Sequence, residues 1–284
     1  MINFMKRNLL VFFKDKASVF FSLLSVFIII GMYALFLGDV WNNSMRDVPG
    51  ARQVMDSWIV AGLVAVTSVT TTMGAFGTMV EDQSKKIVKD IRSSPLPRVS
   101  IAGGYILSAF VIGVIMCVVA LALCQVYIVA GGGELLSGVQ LLKVFGLILL
   151  STFSNTALVL FFVSFFMSIN AFSIASTIIG TIIGFMTGIY IPIGQLPESV
   201  QWVIKFFPPS HSALLLRQVI MEDTIKTSFA GAPVSVVENF KELMGVTFKV
   251  GDNTVSAMMS IGILVVAGIF FLGLSIINLS RKRK

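Results

Sequence analysis

The sequence predicts an all-α integral membrane protein, and three observations predict it: charge is scarce, uncharged residues gather in long blocks, and Lys and Arg are placed lopsidedly. Only 12% of the 284 residues are charged, against 56% hydrophobic, and the mean hydropathy is +0.93. A water-wetted domain carries roughly 25% charged residues. Charge-free stretches cover 17–38, 57–80, 99–133, 144–197 and 253–280. A helix needs about 20 largely apolar residues to cross about 30 Å of hydrocarbon, so each stretch holds at least one span. None alternates in the ten-residue manner of a membrane β-strand.

In chain order, residues 1–17 come first. Ile2, Met5, Leu9, Phe12 and Phe13 share one helical face and Arg7 and Lys14 lie opposite, the pattern of an interfacial helix in the headgroup layer; the alternative is a cytoplasmic extension of the first span. That span, 18–38, exceeds the 7–15 apolar residues typical of a cleaved leader and no small-x-small site follows it, so it is expected to stay as an anchor. The second span covers 57–80. A charged loop follows from Glu81 to Arg98, acidic at its start and basic later, which suits a short helix closed by Pro95. Its Ile87, Val88 and Ile91 make a small apolar patch, either for docking or for packing on neighbouring spans. The third span is 101–129. The uncharged run 144–197 is too long for one helix, and Ser168-Ile169-Asn170-Ala171 divides it, giving spans at 142–167 and 171–191. Between these and the last span, 255–279, lies a segment at 192–254. There Val200, Val203, Ile204 and Phe207 form an apolar stripe, and Pro233-Val234-Ser235-Val236-Val237 is open to a short strand.

Charge placement orients the six spans. The N-terminal segment, the 81–98 loop and the tail hold 13 of the 21 basic residues and four of the 14 acidic ones. By the positive-inside rule these pieces, both termini included, are cytoplasmic at the cell membrane. The net charge of +7 is thus an orientation signal. Nucleic-acid binding would need a soluble basic module with interleaved aromatics, and no stretch reads as one.

Chemistry is sparse. No G-x-x-x-x-G-K-[ST] loop occurs, so ATP hydrolysis and a bound cofactor are not expected on this chain. One histidine, His211, and two cysteines, Cys117 and Cys124, make no metal-ligand cluster. Catalytic residues are not expected. The cysteines read as packing residues and His211 as a structural or hydrogen-bonding one. With no ionisable residue inside the charge-free spans, a proton or ion relay lacks its groups, which favours a bulky or amphipathic cargo driven by an outside motor. In the second span Thr67, Ser68, Thr70, Thr71 and Thr72, then Gly74 and Gly77, either line a translocation path or pack helices. In the fifth, Gly180, Gly184 and Gly188 form a doubled small-x-x-x-small repeat that admits close approach within the chain or across a dimer interface.

Several of these pieces carry a resemblance: Lys14-Asp15-Lys16 after the amphipathic segment, a second span running into Glu81, and a short helix closed by Ser94-Pro95-Leu96. Ile191-Pro192-Ile193-Gly194-Gln195-Leu196-Pro197-Glu198, then Phe207-Pro208-Pro209-Ser210-His211-Ser212-Ala213-Leu214 and Arg217, extend it. In this order the chain resembles, over essentially its whole length, the ABC-2 type permeases, membrane subunits of ATP-binding-cassette exporters. The resemblance implies one transmembrane domain over 1–284. It implies a cytoplasmic coupling helix at 81–95, with Glu81, Lys85, Lys86, Ile87, Val88, Asp90, Ile91 and Arg92 as candidate contacts to a separate ATPase. It also implies short re-entrant external helices over 198–220. ATP and magnesium would sit on two copies of that ATPase. Two six-span halves, as a homodimer or with a related half, would face each other through spans two and five. The function implied is ATP-driven export of a hydrophobic or amphipathic compound such as a drug, peptide antibiotic or lipid. The alternatives are a lipid-linked polysaccharide or teichoic acid as cargo, or a non-transporting scaffold or sensor.

Overall fold

Asp15 makes the first bend. Its carboxylate accepts from the amides of Ala17 and Ser18 at 3.1 and 3.2 Å and from the Ser18 hydroxyl at 2.6 Å, an N-cap that starts a new helix in a new direction. Helices α1 (Ile2–Lys14) and α2 (Lys16–Met32) therefore meet at 71°. The computed structural model describes residues 1–33, 35, 48–93, 97–251 and 253–281, with Ile91, Arg92, Arg98, Leu279, Ser280 and Arg281 described by backbone alone. The end of the expected first span at 36–38, Ser94-Pro95-Leu96 and the tail Lys282-Arg283-Lys284 lie outside the described residues.

Helix α3 (Ala51–Ser84) has 34 residues and is followed by the short α4 (Ile87–Ser93) and by α5 (Arg98–Ala130). A capping box between Ser137 and Gln140 opens α6 (Gly138–Val163), and a turn leads to α7 (Ile169–Met186). Then come a short 3-10 turn (Ile193–Gln195), helices α8 (Glu198–Phe206), α9 (Pro208–Ile220), α10 (Glu222–Ser228) and α11 (Val234–Leu243), an antiparallel pair β1 (Lys249–Val250) and β2 (Asn253–Thr254), and α12 (Ala257–Arg281). Among the described residues, five helices, α3, α5, α6, α7 and α12, are long and apolar enough to cross a membrane, and the bent α1–α2 pair makes a sixth if counted as one span.

The core is built around α3. From Val54 to Val69 each of its residues is buried, the mark of a helix that is packed on all sides. Helices α2, α5, α6, α7 and α9 surround it. At Gly113 of α5 a Cβ would meet methyl carbons of Thr152 and Thr72 at 2.7 and 2.8 Å, so a residue without a side chain lets α3, α5 and α6 approach. Helix α12 packs on α6. Helix α7 is the opposite of α3: only Phe172, Ile183 and Gly184 are buried.

Several expectations need correction. The helix that holds the second span is longer than 57–80 because acidic residues that looked like its ends are buried with partners. Asp56 accepts from the Tyr127 hydroxyl at 3.1 Å, and Asp82 is held by Arg7 and Tyr105. Residues 81–84 therefore belong to α3, and the short helix expected at 81–95 begins at Ile87, after a break where Lys86 takes a left-handed φ of 62°. The helix of the fifth span ends at Met186 rather than continuing to 191, since Gly188 turns the chain with φ 69°. The strand considered at 233–237 is the start of α11: Pro233 occupies its N-cap, where a missing N–H costs nothing. In α1 the buried face is Phe4, Asn8 and Phe12; Ile2 and Phe13 are exposed and Arg7 turns inward to Asp82.

Candidate functional site

The joint at the end of α3 is the first of three constellations. Arg7 makes a two-point ion pair with Asp82, Nη1 to Oδ2 at 2.5 Å and Nη2 to Oδ1 at 2.9 Å, and the Tyr105 hydroxyl donates to the same carboxylate at 2.6 Å. Asn8 of α1 donates to Ser108 of α5 at 3.3 Å, and Phe4 meets Tyr105 edge to face at 4.9 Å. Only 2% of Asp82 is exposed, so its charge is compensated almost entirely by the protein, and such forked Arg–carboxylate bonds are directional. Helices α1 and α5 thereby grip α3 a few residues before the break. Beyond the grip, half-buried Glu81 pairs with exposed Lys85 one turn on. Lys86, Lys89 and Asp90 are exposed, while Ile87 and Val88 are half-buried. Thus the surface end of α3 is stiff up to Ser84 and jointed at Lys85-Lys86.

The hydroxyl stretch of α3 divides between two faces. Thr67, Ser68, Thr71 and Thr72 are completely buried. Their hydroxyls donate back to carbonyls three or four residues earlier, and Asn155 of α6 donates to Ser68 at 2.6 Å. These four therefore pack the interior of one chain. Thr70 points the other way, into a crevice of about 610 Å³ between α2, α3 and α7 that Gly180 also lines. The glycine repeat of α7 divides likewise. A Cβ on Gly184 would fall 2.2 Å from the Tyr190 ring, Gly188 serves the turn, and nothing lies within 4 Å of a Cβ on Gly180. Sequence reasoning missed Ser18, Ser22, Ser173, Ser176 and Thr177, which line the same crevice. The spacing of Ser173, Thr177 and Gly180 along one face of α7 carried that signal.

The third constellation is Arg217 of α9, with 0% of its surface exposed. Its Nη2 donates to the carbonyls of Thr187 and Gly188 at 2.8 and 3.2 Å, just past the end of α7, and its guanidinium lies 4.9 Å from the Trp58 ring. Trp58 donates to the Met244 carbonyl at 2.8 Å. Nε and Nη1 of Arg217 have no acceptor among the described residues. One cation thus joins α3, α7 and the loop after α11. Nearby, His211 lies between the Ser260 hydroxyl at 3.1 Å and the Lys205 carbonyl at 2.9 Å. A carbonyl can only accept, so Nε2 bears hydrogen and Nδ1 is free to accept from Ser260.

A central helix packed on all sides, apolar helices around it and a jointed surface helix at its end define a polytopic helical membrane protein of the permease kind. The model of the ABC-2 family transporter proteins matches residues 50–277, and the chain belongs to that family. No curated protein matches it. Membership makes it a membrane component of an ATP-binding-cassette transporter, a class whose ATPase partner is in general a separate element.

Proposed function

We propose that α4 and the end of α3 dock a separate ATPase subunit, and that two copies of this chain, each with its ATPase, export a hydrophobic or amphipathic compound across the cell membrane. Both termini lie in the cytoplasm, and ATP and magnesium are handled by the partner. The observation that carries this reading is the continuity of α3: one helix, about 51 Å long at 1.5 Å per residue, runs from the middle of the protein to the joint at Lys85-Lys86. Force on α4 therefore has a stiff route to the core. Lys85, Lys86, Lys89 and Asp90 offer charge for docking and Ile87 and Val88 an apolar centre, with Ile91, Arg92 and Glu81 flanking them. Thr70 and Gly180 belong to the cargo path, and the exposed face of α7 meets the second copy.

Co-purification tests this. The chain and its ATPase are expressed together, and association and ATP turnover are compared for the natural sequence and for Ile87→Asp with Val88→Asp. Charge placed at the centre of a docking patch is expected to weaken association by about tenfold or more. Association and turnover unchanged by the pair of substitutions would overturn the docking reading.

A further inference from the structure

The crevice between α2, α3 and α7 has a hydrogen-bonding polarity of its own. Among the described residues, no ionisable side chain lines it. Six hydroxyls do, those of Ser18, Ser22, Thr70, Ser173, Ser176 and Thr177. Five of them spend their protons inside the chain. Ser18 donates to the Asp15 carboxylate at 2.6 Å, and Ser22 to the Ser18 carbonyl at 2.7 Å. Thr70 donates to the Val66 carbonyl at 3.2 Å, Ser176 to that of Phe172 at 2.8 Å and Thr177 to that of Ser173 at 3.0 Å. A hydroxyl has one proton and two lone pairs, so what these five have left to offer is acceptors. The remaining wall is apolar, with Phe12, Phe21, Met73 and Phe172.

We propose that this crevice binds an uncharged amphiphile that donates hydrogen bonds, of the class of amide- or hydroxyl-bearing hydrophobic compounds. The inference rests on the transport reading above and narrows its cargo. Among the described residues an anion finds no cation in the wall, and of the six hydroxyls only that of Ser173 has a proton not already given to the chain. A full positive charge would give up water with no carboxylate lining the site to replace it, and such desolvation is costly. An N–H or O–H meets lone pairs already oriented by their carbonyl bonds, while an alkyl or aryl portion lies against the three rings and the thioether. The volume, about 610 Å³, falls in the range of roughly 300–1,000 Å³ common for drug-sized ligands.

The test uses the full chain in phosphatidylcholine nanodiscs and three dansyl-labelled dodecyl probes ending in a primary amide, a trimethylammonium or a carboxylate. Binding is read by fluorescence anisotropy. The amide is expected to bind on the order of tenfold more tightly than either charged probe, the worth of its matched hydrogen bonds. Gly180→Phe is expected to abolish amide binding without disturbing the fold, since a side chain there enters open space. Thr70→Val, close to the same shape, is expected to weaken the amide severalfold and leave the charged probes unchanged. A charged probe bound as tightly as the amide would overturn the proposal. So would amide binding that survives Gly180→Phe while copies of the chain separate on size exclusion, which would make the crevice a subunit contact. Because no ATPase is present, failure here leaves the docking experiment untouched, and failure of docking leaves this measurement standing.

Discussion

At the scale of single residues, Arg217 carries the sharpest expectation. A guanidinium removed from water without a carboxylate partner is held by the carbonyls of Thr187 and Gly188, where the end of α7 is partly negative, and by the Trp58 ring. Arg217→Met keeps the length, removes the charge and strands two carbonyls, a loss of about 1–3 kcal/mol. Arg217→Lys keeps the cost of burying a cation but cannot lie flat on the indole or span both carbonyls with one planar fork. The lysine variant is therefore expected to melt below the methionine variant, and both below the natural protein, in thermal unfolding of the detergent-solubilised chain. A lysine variant as stable as the natural protein would mean that charge alone is needed at this position. The sequence marks Arg217 only as part of the family resemblance and gives no sign of its partners: it lies thirty positions from Thr187 and far further from Trp58, and packing alone joins them. Asp56 and Asp82 misled for the same reason. Read along the chain they look like the wet ends of a span; Tyr127, Tyr105 and Arg7 across the fold offset that cost, with Arg52 one turn before Asp56.

At the scale of elements, the joint after α3 separates a rigid rod from a short surface helix, and Lys86 makes the turn. A residue other than glycine at φ 62° is strained by its Cβ. Lys86→Gly is expected to relieve on the order of 1 kcal/mol and to preserve the angle between α3 and α4. Lys86→Pro locks φ near −65° and cannot make that turn. In co-purification and ATP-turnover assays the glycine variant should behave as the natural chain and the proline variant should lose stimulation while still inserting in the membrane. If both retained stimulation, the direction of α4 would be irrelevant to coupling. The blocks behind these elements were largely legible, because long uncharged runs admit few alternatives to a spanning helix. Element ends and the short helices of 192–254 were less so: β-branched Val234, Val236 and Val237 suggest a strand, yet Pro233 at the N-cap and the packing of Phe240 against Phe229, with ring centroids 4.7 Å apart, favour helix α11. Of the residues that line the crevice, the sequence singled out Thr70 and Gly180 but not their hydroxyl neighbours on α2 and α7, since separate helices assemble that wall.

At the scale of the whole molecule, α3 and α7 divide the work of packing. Helix α3 spends its surface inside the chain, so Thr67, Ser68 and Thr71 have no face left for another subunit, whereas α7 leaves Ser173, Ile174, Thr177, Ile178, Thr181 and Ile182 exposed. In hydrocarbon an apolar face needs no protein cover, but a row of hydroxyls and small residues allows another helix to approach closely. Ser173 and Thr177 face the crevice, so the contact between copies is expected on the neighbouring face of Ile174, Ile178, Thr181 and Ile182, where the Thr181 hydroxyl bonds to a carbonyl of its own helix and keeps the face narrow. Helix α12 exposes Val266, Ile269 and Phe270, bulky groups suited to lipid. If two copies meet through α7, Thr181→Cys should form a disulfide-linked dimer when membranes are oxidised, and Val266→Cys should not. Cys117 and Cys124 are fully or almost fully buried, so they are not expected to add background. Equal cross-linking from both positions would indicate random collision, and cross-linking from Val266→Cys alone would move the contact between copies to α12.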